Sequence, residues 1–193
     1  ILSDKEVFNI YRYKVYNNIT TSPSQIEDCN NKNIIGYVKK SYSNLIKRVI
    51  NFLGDGKFYN CFEVYDENNK LIFQSQQINQ LKHKNYYVKY LSNTNKTFSI
   101  KLIDESKITI FEKATFSFLN KEFEIQNNVG DWAYIIDKDQ GKKIARSKNP
   151  ITEPVSVYFE LLDESYKENE ILFLGMLHTY LYGCLLYTSL SGL

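Results

Sequence analysis

Residues 171–183 read ILFLGMLHTYLYG, an uncharged run that follows about 160 residues of mostly strand-like sequence. A helix that is apolar on all sides has to be enclosed, either by protein or by lipid. Which of the two encloses this one decides the architecture. Thirteen residues is the length of a buried core helix, whereas a membrane span needs about 20 apolar residues. Extended to Leu190 the uncharged run reaches that length, but no Lys or Arg flanks its far end, and His178 and Thr179 interrupt its middle. The segment Cys184–Ser189 (CLLYTS) also resembles translated adapter from a sequencing library, so residues 184–193 are expected to be a non-native tail. Residues 171–183 are therefore predicted to plug a protein core.

The body is read as short strands separated by turn signals. They are Tyr11–Tyr16, Asn33–Lys39, Lys57–Tyr65, Leu71–Gln76, Tyr86–Leu91, Thr97–Ile103, Ile108–Leu119, Glu122–Gln126, Trp132–Ile136, Lys143–Ser147 and Val155–Leu161. Alternation of Phe98, Ile100 and Leu102 with Ser99 and Lys101 marks a strand with one face buried. The 16 Tyr and 12 Phe suit a pleated, half-buried surface. Many short strands at near-regular spacing predict a mainly β fold, a sandwich or a barrel. Three segments share one pattern of Asp, polar turn, Lys and apolar strand, beginning at Asp28, Asp66 and Asp137. Each is predicted as a hairpin, because Asp and Asn hydrogen-bond their own turns. Asp137-x-Asp139-x-Gly141 fails as a calcium loop, since Lys148 stands where a bidentate Glu is required.

Two segments read as helices. Leu45, Ile46, Val49, Ile50 and Leu53 make one apolar face within 41–53, with Lys47, Arg48 and Asn51 opposite and Gly54 and Gly56 ending the run. Ser165 and Glu168 form a capping-box pattern that would start a C-terminal helix at 165 and carry it to 183.

A net charge of +2 does not imply a polyanion partner, and no nucleic-acid module is present. Lys82-His83-Lys84 is read as an exposed turn. Three widely spaced cysteines, Cys29, Cys61 and Cys184, fit neither a disulfide framework nor a zinc site and suit a reducing, cytosolic setting. No Gly-rich nucleotide loop or other cofactor motif occurs, since Gly54-Asp-Gly56-Lys57 lacks the remaining P-loop positions. Glu122 and Glu124 are read as a solvated face, Trp132 as barrel core, and His178 as a buried neutral imidazole bonded to the wall. The chain starts at Ile1 and is expected to be a fragment at that end, with 1–10 as a linker. Abundant Asn, Lys, Ile and Tyr match an AT-rich genome, as in many Firmicutes.

The candidate binding residues are a basic and aromatic set, Lys39, Lys40, Tyr42, Lys47 and Arg48. A basic helix with an apolar opposite face can lie on an anionic membrane. The same pattern serves a helix that closes one end of a barrel with its cations solvated.

Ile34–Tyr42 (IIGYVKKSY), Leu45–Leu53, Tyr65–Lys70 (YDENNK), Trp132–Gly141 and Glu170–Gly183 together resemble the bacterial tubby C-terminal-like domain proteins of Firmicutes, over Tyr11–Gly183. The resemblance implies one domain, 11–183, built as a closed antiparallel barrel of about twelve strands around the final helix. The wider superfamily includes phosphoinositide-binding tubby proteins, phospholipid scramblases and plant LURP-one-related proteins. A non-enzymatic module for membrane phospholipid or another anionic ligand is the implied function, cytoplasmic and peripheral at the membrane. A structural or protein-interaction domain of a larger protein is the alternative.

Overall fold

The computed structural model describes residues 9–15, 21–42, 61–78, 85–106, 111–128 and 131–182. The predicted helix at 41–53 falls almost wholly outside them, as do Lys47, Arg48 and the Lys82–Lys84 turn.

Twelve strands carry the body: β1 Ile10–Lys14, β2 Ser24–Asp28, β3 Ile34–Ser41, β4 Cys61–Asp66, β5 Leu71–Gln77 and β6 Tyr86–Leu91 come first. They are followed by β7 Thr97–Asp104, β8 Phe111–Phe118, β9 Lys121–Asn128, β10 Ala133–Asp137, β11 Lys142–Lys148 and β12 Ser156–Leu161. Every strand pairs antiparallel with its sequence neighbours, and β1 pairs with β12 from Ile10↔Glu160 to Lys14↔Ser156. The sheet is thus a closed up-and-down barrel without an edge. Eleven of the strands correspond to the runs read from sequence. The twelfth, β2, carries a single apolar residue, Ile26, between Gln25 and Glu27, so no alternation announces it.

The inward positions hold the core, including Tyr11, Tyr13, Val64, Phe73, Val88, Leu102, Phe116, Ile125, Ile135 and Phe159. The helix α1, Glu170–Tyr182, fills the lumen, and every residue from Leu172 to Tyr180 is buried. Its apolarity on all sides is explained by this placement, since the barrel wall faces it in every direction. Gly36 is needed on β3 because a Cβ there would stand within 2.2 Å of the Tyr65 carbonyl oxygen. The apolar-in, charged-out pattern is the reverse of a barrel that spans lipid, whose outer band must be apolar. Among the described residues no helix is long and apolar enough to cross a membrane.

The approach to α1 differs from the predicted capping box. Residues Glu164–Asn169 form a 3-10 helix, and Asp163 caps it by accepting from the Ser165 backbone N–H. Asp163 Oδ1 also accepts from the Ser165 hydroxyl at 2.8 Å, which removes Ser165 from the capping role. The α-helix proper begins five residues later than predicted, at Glu170. Glu170 stays at the positive end of its dipole, where Lys167 Nζ lies 2.7 Å from it and Tyr11 donates its hydroxyl at 2.7 Å.

The meander sorts the connections. At one end, called here the turn end, lie tight hairpins and the start of α1. Their residues at positive φ are Lys32, Asn69, Asn95, Leu119, Asn120 and Gly141. The three Asp turns are among them: Asp28 Oδ1 accepts from Asn30 N–H at 2.8 Å, Asp66 Oδ1 from Lys70 N–H at 2.8 Å, and Asp137 Oδ1 from Asp139 N–H at 3.0 Å. At the other end, the loop end, β1, β3, β5, β7, β9 and β11 finish and β2, β4, β6, β8, β10 and β12 begin, and the last turn of α1 lies there too.

Candidate binding surface at the loop end of the barrel

The two lysines of the predicted patch leave β3 on opposite faces, as adjacent strand residues must. Lys39 points outward, 3.4 Å from Glu63 and 4.6 Å above the Tyr65 ring. Its hydrogen bond with Tyr65 and the nearby Glu63 charge hold its pKa above the usual lysine value despite partial desolvation. Lys40 points inward at the loop end and is only 8% exposed. Its ammonium lies 5.7 Å from the Tyr42 ring and 5.8 Å from the Phe62 ring, and burial lowers its pKa to about 8. Tyr42 follows the end of β3 directly, so Lys40 and Tyr42 are brought together and Lys39 is set apart.

His178 lies beneath Lys40. Its Nδ1 is 3.2 Å from the Tyr13 hydroxyl, and its ring centroid is 4.7 Å from Phe62 and 5.1 Å from Tyr182. Burial first, and then the Lys40 charge, depresses its pKa to about 3. Such an imidazole is neutral and too weak a base for proton abstraction near neutral pH. This is the buried, wall-bonded histidine expected from sequence. Glu122 is exposed and paired with Lys138 at 2.8 Å, as a solvated face requires. Glu124 is covered instead, held by Lys113 at 2.6 Å.

Trp132 is not core. It precedes β10 on the outward side, in phase with Tyr134 and opposite to the buried Ala133 and Ile135. The Arg146 guanidinium lies 4.2 Å from its ring, and the Lys148 ammonium 5.7 Å. Lys143 Nζ stands 3.7 Å from the Tyr134 ring, so β10 and β11 form an aromatic strip capped by cations. Arg146 also pairs with Glu160 at 2.5 Å.

Sequence reasoning missed two further features. The first is the exposed apolar set. Among the described residues the large exposed hydrophobics are Leu71, Ile78, Tyr87, Ile103, Leu119, Ile151 and Val155, and five of these seven belong to the loop end. Ile78, Tyr87 and Ile103 share the outer face where β5, β6 and β7 reach it, beside Lys101, whose ammonium is 5.5 Å from the Tyr87 ring. Ile151 stands 93% exposed between Pro150 and Pro154. That loop is held by Glu153 N–H donating to the Pro150 carbonyl at 3.0 Å and by the Asn149 amide donating to the Pro154 carbonyl at 3.0 Å. An apolar residue bracketed by prolines was the available sequence signal.

The second is a cavity of about 410 Å³ at the same end, lined by residues that include Ala133, Ser147, Lys148, Leu181 and Tyr182. The Ser147 hydroxyl is buried there without a hydrogen-bond partner.

The chain was also compared with known proteins. No curated protein sequence matches it. A family match covers residues 11–183, from β1 through α1, and carries the description Tubby C-terminal like domain. With that span and a closed twelve-strand barrel around a buried helix, the chain belongs to the Tubby C-terminal like domain family.

Proposed function

We propose that the domain is a non-enzymatic binding module that docks on an anionic membrane surface with the loop end of its barrel. The observation that carries this reading is the gathering of Ile78, Tyr87, Ile103, Ile151 and Val155 at one end of a barrel whose core is otherwise complete. Exposed apolar side chains beside lysines suit an interface where the chains enter the acyl boundary and the ammonium groups meet phosphates. Lys101 and Lys148 supply described cations at that end, while Lys40, beside Tyr42, lies just inside it and is largely covered. Lys47 and Arg48, outside the described residues, stay in the proposed basic set on the sequence pattern alone. Lys39 contributes least, because Glu63 already neutralises it. The tubby-like fold supports a binding role. Cys29 and Cys61, which form no disulfide among the described residues, suit the reducing, cytoplasmic face of a membrane.

Co-sedimentation with vesicles of phosphatidylcholine, with and without phosphatidylglycerol, tests the reading. Capture that rises with the anionic lipid and falls with salt is expected. Equal and negligible capture by both would overturn it. The cation-capped Trp132–Tyr134 strip favours a second reading, a protein-interaction domain, since Trp, Tyr and Arg are the side chains that anchor protein interfaces.

A further inference from the structure

We infer that the cavity beside the last turn of α1 is a site for a small zwitterion, a primary ammonium joined by a short carbon linker to a phosphate. The walls supply the three requirements of such a molecule. Ser147 is 2% exposed and lines the cavity, and its Oγ is covered and has no partner. A buried hydroxyl in that state costs the fold free energy unless a ligand or water bonds to it. An ammonium N–H is a suitable donor to it.

The same wall is electronegative. α1 ends there with no basic residue in its last turn, so its negative dipole end is not offset from within the helix. Asp131 also lines the cavity, with one carboxylate oxygen accepting from the Trp132 N–H at 2.7 Å. Lys148 is the counterpart for the phosphate; it and Asp131 are the charged residues of the lining among the described residues. Ala133 and Leu181 supply the apolar surface for the linker. The volume of about 410 Å³ is within the usual range for small-molecule sites.

The ligand has two possible sources, the headgroup of phosphatidylethanolamine or free phosphoethanolamine. The headgroup arm rests on the membrane reading above; the pocket itself does not. The test uses the full chain in two arms. In the first, vesicles of phosphatidylethanolamine with phosphatidylglycerol are compared with vesicles of phosphatidylcholine with the same fraction of phosphatidylglycerol. The quaternary ammonium of choline has no N–H to give Ser147, so the proposal expects several-fold stronger capture by the ethanolamine vesicles. In the second arm, free phosphoethanolamine is titrated by calorimetry, and binding there without a vesicle preference assigns the pocket to the soluble source.

Ser147→Ala separates a ligand role from a structural one. It is expected to leave the unloaded chain as stable or more stable, because it removes an unpartnered buried hydroxyl, while weakening the ethanolamine-specific binding about fivefold. Equal capture by the two vesicle types together with no binding of free phosphoethanolamine would overturn the pocket, and would leave anionic-lipid docking standing. Undiminished ethanolamine preference in Ser147→Ala would overturn the assignment as well.

Discussion

Gly175 of α1 lies against the face of the Phe73 ring on β5, so closely that a Cβ at Gly175 would come within 2.7 Å of its Cγ and Cδ2 atoms. Phe73 is itself fully buried and has no room to retreat. The glycine therefore sets how near the helix can approach the wall. Gly175→Ala is expected to destabilise by about 1–3 kcal/mol from overpacking. The better helix propensity of Ala, about 1 kcal/mol, offsets only part of that. Urea unfolding of Gly175→Ala, of Phe73→Leu and of the double variant checks this. The double variant should be more stable than the two single losses added together.

Thr179 and Ser75 make a buried hydroxyl pair, with Thr179 donating to Ser75 Oγ at 2.8 Å. Thr179→Val keeps the shape and removes the donor. A cost of about 1–2 kcal/mol is expected, because a buried oxygen then loses its partner. Adding Ser75→Ala should recover much of the loss, which a thermal melt series would read directly.

His178 predicts a specific acid sensitivity. Free in the unfolded chain it takes up a proton near pH 6.5, and buried it does so only near about 3. Between those values the unfolded state holds more protons, so stability falls as the pH is lowered and is unaffected by this group above the window. The steepest slope is about 1.4 kcal/mol per pH unit. Asp137, Asp163 and Glu63 complicate only the lower part. Burial alone would raise all three, but their hydrogen bonds and cationic neighbours hold them below their ordinary values of 3.8, 3.8 and 4.5, so their stabilisation is lost as pH falls past that range. Urea midpoints measured between pH 6.5 and 4.5 should therefore report His178, and His178→Gln should flatten that stretch. An unchanged slope in the variant would refute the assignment.

Ile151 isolates the docking surface from the fold. Its side chain is almost wholly in water, so Ile151→Asp should leave the melting temperature within experimental error. Capture by anionic vesicles should drop about tenfold, the effect of losing part of one buried Ile together with adding a repelled charge. Leu119→Asp, at the turn end, is the matched control and should bind as the parent does.

Most of the barrel was legible because its inward residues alternate, as in Phe98, Ile100 and Leu102, and because α1 is apolar on all sides. β2 was not, since a strand with Ser24, Ile26 and Asp28 facing inward has no apolar period to detect. Ser165 was misread because the Asp163 carboxylate, two residues earlier, accepts from both the Ser165 N–H and the Ser165 hydroxyl and so starts the helical segment before Ser165 can cap it. Trp132 was misread because an aromatic at a strand start suits either face, and only the phase of Ala133 and Ile135 decides between them. The binding surface was the least legible part. Lys39 and Lys40 look alike in sequence, and strand geometry sends them to opposite sides. Ile151 belongs to the surface through a loop whose neighbours are distant in sequence. Ser147 is ordinary until the cavity around it is seen.

The pairing of β1 with β12 has a kinetic side. The seam joins the first described strand to the last, so the ring cannot close until nearly the whole barrel domain has left the ribosome, and the helix that fills it emerges later still. Until then the inward aromatics of the other strands face an empty lumen and two unpaired edges. Contacts so far apart in sequence make for slow folding and a long exposure to aggregation during synthesis. A ribosome stalled before residue 156 would hold a sheet with no closing strand and no core, a nascent chain suited to chaperone capture rather than to folding domain by domain.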